Sequence, residues 1–297
     1  MMIACMLTHI QLPQIGQPST LILAVVTLLH GAKSGAWVLL AVLFPFAIDY
    51  VSLINHGHSM TEFLFISRNL LFINNGLVWM FAILLRRYAQ WNLLFNIGLF
   101  IGISFVVLLH TWNPNIVDWW GTSIPALYTA EEIKAGRVDD LLSVKYYLAG
   151  IFAAITLFKI YLKLALTRWW QFRVLHAGSL GKELQRIRIN TSIGILFLIG
   201  LAIYCLHHNA IILDIAPLVV SVLALSGFLF LHHMLARAKK GWIGLLLIYA
   251  MTVWFFPESL ILIAIPGLLD VFFRFSDRAN RKKGLSTAAD HVAMNEA

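Results

Sequence analysis

Two adjacent amides, Asn74 and Asn75, interrupt the otherwise apolar run from Asn69 to Leu85. Neighbouring side chains on a helix point in different directions, so at least one of the two needs a partner inside a helix bundle. An interhelical hydrogen bond and a contact to a ligand both meet that need. Asp49 lies towards the outer end of a second apolar run. Asp270 precedes Arg274 by four residues, which places the two on one helix face where they pair. That pair reads either as self-neutralising at a membrane boundary or as a ligand contact. Charged groups inside apolar spans are costly, so each is a candidate for function. Asp49, Asn74, Asn75, Asp270 and Arg274 are therefore the candidate substrate-binding residues.

Other polar residues have plainer readings. Asp214 reads as a solvated helix start, and His30, His110, His207, His208, His232 and His233 as interfacial histidines near helix ends. No His, Cys or carboxylate spacing matches a metal site. Cys5 and Cys205 are too few and too distant for a disulfide framework. There is no P-loop, no dinucleotide-binding glycine fingerprint and no nucleophile elbow. No enzyme activity, metal or cofactor is expected.

The elements that must position these residues follow from composition. The 297 residues are 60% hydrophobic and 12% charged, with a mean hydropathy of +0.81. Soluble domains carry about 25% charged residues, so lipid is the expected solvent for most of the chain. A spanning helix needs about 20 apolar residues. Such runs are Gly35–Asn55, Asn69–Leu85, Trp91–His110, Val144–Leu166, Thr191–Leu206, Ile211–Leu235, Trp242–Phe256 and Ser259–Phe273. Pro18–His30 is shorter and is expected to pair with residues 2–12 as a broken or re-entrant entry. The chain has no charged region ahead of its first apolar run, so no cleaved signal is expected. The predicted fold is an all-α, polytopic membrane bundle with about 8–9 transmembrane helices. Residues 1–276 form one transmembrane domain, and residues 277–297 a basic, then polar, cytoplasmic tail. Gly98/Gly102 and Ala149/Ala153 are small-residue pairs that favour close helix packing.

Charge placement agrees with this alternation. With a net charge of +8, 16 of the 22 basic residues fall on one side. The positive-inside rule makes that side cytoplasmic, together with the C-terminus. Lys159 and Lys163 lie within a span, one turn apart, and are expected to snorkel to the same side. The basic residues sit between apolar spans, so they orient the chain, and nucleic acid is not an expected partner. The segment Thr129–Gly136 reads as a short capped helix in the longest outer loop.

Leu166–Ile189, "LTRWWQFRVLHAGSLGKELQRIRI", is the most distinctive cytoplasmic stretch. Arg168, Trp169, Trp170 and Gln171 fall at the headgroup level expected of an aromatic belt. Arg186 and Arg188 belong to a short amphipathic segment that would lie along an anionic leaflet. The same stretch reads alternatively as a docking loop for a cytoplasmic protein.

These residues also carry a resemblance. Arg168-Trp169-Trp170-Gln171, then Gly178 and Gly181, Glu183 and Ile187-Arg188, together resemble the YybS-like membrane proteins of bacteria. Val26–Ala41 ("VTLLHGAKSGAWVLLA") and Gly267–Arg278 ("GLLDVFFRFSDR") are similar to that family's early glycine-flanked basic turn and its closing Gly-x-x-Asp helix. The segment "FRVLHAG" departs from the family's turn. The resemblance implies a multi-pass protein of the bacterial inner membrane. It is grouped loosely with the substrate-binding subunits of energy-coupling-factor transporters, which bind a small molecule and have no ATPase of their own. The expected partners are the lipid bilayer and either a small-molecule ligand or a cytoplasmic protein. The chain reads as a small-molecule-binding or transporter-like protein, or alternatively as a non-transporting membrane scaffold.

Overall fold

The computed structural model describes residues 18–55, 62–125, 138–175, 183, 190–207, 209–235, 241–255 and 258–273. Within them the chain is all-helical: α1 Pro18–His30, α2 Ala32–Asn55, α3 Glu62–Tyr88, α4 Trp91–Trp112, α5 Ile116–Ser123, α6 Asp139–Ser143, a 3₁₀ turn Lys145–Tyr147, α7 Leu148–Leu175, α8 Thr191–His207, α9 Ala210–Leu235, α10 Gly241–Trp254 and α11 Glu258–Phe273. No strand occurs among the described residues.

Among the described residues, three helical stretches are long and apolar enough to cross a membrane: Trp91–Trp112, Lys145–Leu175 and Ala210–His232. Four shorter apolar helices accompany them, Pro18–His30, Ala32–Pro45, Thr191–His207 and Gly241–Thr252. The expected run Asn69–Leu85 lies inside the longer α3, whose ends carry Glu62, Arg86 and Arg87. The α7 helix continues nine residues beyond Leu166, through Arg168 and both tryptophans. Nothing between Gly150 and Leu175 breaks it, since that stretch holds no further glycine and no proline. Pro45, Pro217 and Pro266 lie inside helices, as spans packed against other helices tolerate. The residues expected as a capped helix, 129–136, lie outside the described residues, as do the N-terminal stretch and the C-terminal tail.

Local chemistry sets the helix ends. Asn209 Oδ1 accepts the Ile211 N–H at 2.8 Å and so caps α9. Asn190 Oδ1 accepts from the Ser192 N–H at 3.3 Å and caps α8. Gly31, at φ +97°, turns the chain from α1 into α2. There Arg86 donates through Nη1 to the carbonyls of Thr27 (3.4 Å) and Leu28 (3.0 Å), satisfying the open end of α1. Its guanidinium carbon lies 3.5 Å from where a Gly31 Cβ would be. Ala89 ends α3 in the left-handed region, at φ 49°, with its N–H bonded to the Leu85 carbonyl at 3.0 Å.

The chain divides into two compact units, one of residues 1–98 and 152–186, the other of 99–151 and 187–297. In the first, α1 packs against α2 and α3, and α2 against α3. Its fully buried side chains include Leu23, Leu28, Val42, Val78, Phe81, Leu94, Ile160 and Leu164. Phe81 stacks on Tyr161 with ring centroids 6.0 Å apart, and Phe95 meets Tyr161 edge-on at 4.7 Å. The Tyr161 hydroxyl donates to the Leu94 carbonyl at 3.2 Å. Gly98 makes this fit possible, because a Cβ there would fall 1.9 Å from that hydroxyl.

The second unit is organised by α9 and α11. A Cβ on Gly227 would meet the Ile263 carbonyl oxygen at 1.9 Å, and one on Gly267 the Leu223 carbonyl oxygen at 2.1 Å. The two glycines therefore let two backbones touch, the close packing that small residues allow between apolar helices. Around this crossing, α8 and α10 turn large apolar side chains outward, among them Leu196, Leu206, Trp242, Leu246 and Leu247. Outward apolar side chains of this kind are suited to lipid.

Candidate functional site

Asn75 occupies the interior of the first unit, with no exposed surface, while Asn74 is half-buried. Neither the Oδ1 nor the Nδ2 of Asn75 has a hydrogen-bond partner among the described residues. The Ser19 hydroxyl, on the buried face of α1, is equally enclosed and equally without a partner there. Buried amides and hydroxyls are almost always bonded, because leaving one dry and unpaired costs a few kcal/mol.

The register of the helices relates the two groups. Arg86 meets α1 at Thr27, Leu28 and Gly31. The site of a Gly35 Cβ lies 2.1 Å from Thr27 Oγ1 and 3.1 Å from Trp79 Cδ1, so Thr27 and Trp79 share a level. Thus α1 and α3 run the same way. Carried back at about 1.5 Å per residue, the Trp79 match sets Asn75 opposite Leu23 and the Arg86 match sets it one to two turns earlier, at the start of α1; Ser19 lies between the two. Asn75 is also about 16 Å from Arg86 along α3.

Lys163 belongs to the same unit and is 2% exposed, so almost all of its side chain is enclosed. Its carbonyl accepts the Thr167 hydroxyl at 2.7 Å. One turn on, Thr167 and Gln171 line a narrow cleft with Val25, Leu28, Leu29 and Trp170.

At the basic end of α7, Arg168 is held by Glu183. Its Nη2 donates to Glu183 Oε1 at 2.7 Å and its Nε to Oε2 at 3.2 Å, while Nη1 donates to Gln171 Oε1 at 2.7 Å. Trp91 Nε1 adds a donor to Glu183 Oε2 at 3.3 Å. This bidentate geometry is the strong form of the ion pair. Trp169 and Trp170 are 44% and 55% exposed, as an aromatic belt requires, and Arg173 lies 5.8 Å from the Trp169 ring centre. Arg186 and Arg188 lie outside the described residues.

Of the other sequence candidates, Asp49 is placed on α2 with its side chain outside the description. Asp270 lies half-buried on α11 in the second unit, and Arg274 falls beyond the described residues. Asn74, Asn75 and Asp49 share the first unit.

The second unit holds a constellation that sequence reading missed. His110 Nε2 and Asp214 Oδ2 are 3.0 Å apart, with side chains 5% and 3% exposed. The Gly150 N–H donates to Asp214 Oδ1 at 2.8 Å. Asp214 is therefore no solvated helix start. Its carboxylate caps the N-terminus of α7 from another helix, where unpaired N–H groups and the helix dipole favour an anion. Gly150 is needed because a Cβ there would fall 1.7 Å from the Asp214 carbonyl oxygen. The available signal was an Asp and a His at the same end of two spans, with a glycine opening a third. The pair is closed on itself, with no adjoining nucleophile in its hydrogen bonds, and no metal-binding group of three ligands occurs among the described residues.

Comparisons with protein families, curated proteins and solved structures return no match for this chain.

Proposed function

We propose that this chain is a transporter-like membrane protein that binds a small polar molecule inside its first unit and carries no ATPase of its own. The single observation behind this reading is Asn75, an amide fully enclosed between apolar helices and unpartnered among the described residues. A bundle that needed only packing would place leucine there; a buried amide is worth its cost where something bonds to it. With Arg86 at headgroup level, Asn75, about 16 Å away along α3, lies near the middle of an apolar layer of about 30 Å, where transporters hold their substrates.

The wider reading has the chain crossing the bacterial inner membrane about 8–9 times with its C-terminus in the cytoplasm. Supporting it are the three long apolar helices, the four shorter ones and the one-sided basic residues. The YybS-like resemblance of Arg168–Gln171, Val26–Ala41 and Gly267–Arg278 supports the same assignment.

The test is mass spectrometry of small molecules that co-elute with the protein from a neutral detergent. The expected result is one polar metabolite bound by the wild type and lost from Asn75→Leu, whose thermal midpoint is not lowered. A soluble protein that co-elutes instead, and is lost on replacing Arg186 and Arg188, would establish the scaffold reading in its place.

A further inference from the structure

We infer that the molecule held in the first unit is an anion, a small carboxylate- or phosphate-bearing metabolite whose charge is met by Lys163. This rests on the ligand-binding reading above and narrows it to a chemical class.

Lys163 lies inside an apolar span, is 2% exposed, and makes no ion pair or side-chain hydrogen bond with a described residue. Lysines within spans pair, or face a polar space, because an unmatched ammonium in an apolar interior is costly. Nearby charges make its position worse. Lys159, one turn earlier on the same helix, is of the same sign. Glu183 has both carboxylate oxygens committed to Arg168 and Trp91. No described residue supplies the negative charge that this position calls for.

Lys163 belongs to the same unit as the unpartnered amide. Antiparallel α4 connects the levels: Tyr161 bonds to Leu94, and Tyr161 and Leu157 both face Gly98. Because α3 and α4 are joined by a two-residue link, α3 and α7 run the same way. The stacking of Phe81 on Tyr161 sets their level. Asn75 lies six residues before Phe81 and Lys163 two residues after Tyr161, so about 12 Å separates them along the bundle. Side chains on a helix lean towards its N-terminus, here towards Asn75. An extended lysine stem with a small molecule at its end would bridge that interval. The resulting donor set is the Lys163 ammonium, the Asn75 Nδ2 and the Ser19 hydroxyl; Asn75 Oδ1 is left for one donor on the ligand. These groups match an anionic group next to an N–H or O–H. Their depth, well inside the level of Trp169 and Trp170, favours a soluble metabolite over a lipid headgroup.

Two measurements test this. The first is the co-elution experiment on wild type, Lys163→Met, Lys163→Arg and Asn75→Leu. The expected result is a carboxylate or phosphate compound bound by wild type and Lys163→Arg, and depleted about tenfold or more in Lys163→Met, the effect of removing one charge-assisted hydrogen bond. A neutral or cationic metabolite, lost from Asn75→Leu but retained by Lys163→Met, overturns the charge assignment and leaves the ligand-binding reading standing. An anionic phospholipid as the sole Lys163-dependent species shows a lipid source and overturns the assignment to a metabolite. No bound molecule in wild type overturns both readings. The second measurement covers misfolding of Lys163→Met. At fixed ionic strength, acetate and phosphate replace chloride as probes, and the thermal midpoints of wild type and Lys163→Gln are compared. A rise in wild type that Lys163→Gln lacks is expected; equal responses contradict the inference.

Discussion

Gly150 shows how much of this protein depends on one missing carbon. Its N–H reaches the Asp214 carboxylate at 2.8 Å because no side chain separates the two helices. Gly150→Ala places a Cβ 1.7 Å from a backbone oxygen that cannot rotate away. The helices must part, the carboxylate loses its N–H partner, and His110 is left beside a poorly held anion. The expected cost is about 1–3 kcal/mol, read as a lowered unfolding midpoint in detergent; an unchanged midpoint would mean that the close approach is absent. Residue types alone pointed to Asn75, since an amide in an apolar run is conspicuous. They did not point to His110 and Asp214, which are 104 positions apart and each unremarkable near a helix end. Their partnership depends on which helices pack together, and periodicity does not carry that information. For the same reason Lys163 was expected to snorkel. Its burial is decided by the neighbours of α7, not by its own span.

At the scale of elements, the apolar runs were readable and their ends less so. Asn190 and Asn209 cap α8 and α9 close to where the runs begin. By contrast, α7 continues through Arg168–Leu175, because an aromatic and basic stretch without glycine or proline has no reason to stop. The α3–α4 link is tight, and Ala89 bears its strain. A left-handed backbone costs an L-residue with a Cβ about 1 kcal/mol or more, and Ala89 is exposed, with φ 49°. Ala89→Gly is therefore expected to raise stability by about 1 kcal/mol, measured by reversible unfolding in mixed micelles. A loss of stability would show that the link does not adopt this turn. The Gly227–Gly267 crossing was not among the small-residue pairs seen in the sequence, because its two glycines belong to different helices and only packing brings them together.

At the scale of the whole molecule, composition pointed to lipid as the solvent. The chain has 12% charged residues and, among the described residues, three helices long and apolar enough to cross a membrane, a composition suited to lipid. Orientation rests on the distribution of lysine and arginine. A reporter fused after Lys283 is expected to be active in the cytoplasm; activity on the far side would reverse every loop assignment. The central claim is more local: the first unit encloses a polar molecule that Asn75 and Ser19 were left unpaired to receive. The most direct measurement is an experimental density map of the protein in a lipid nanodisc, at a resolution that shows ordered non-protein atoms. The account predicts density within hydrogen-bond distance of the Asn75 amide and the Ser19 hydroxyl, shaped for more than one water. An Asn75 amide bonded on both atoms by the chain's own groups, with no such density beside it, would contradict the account.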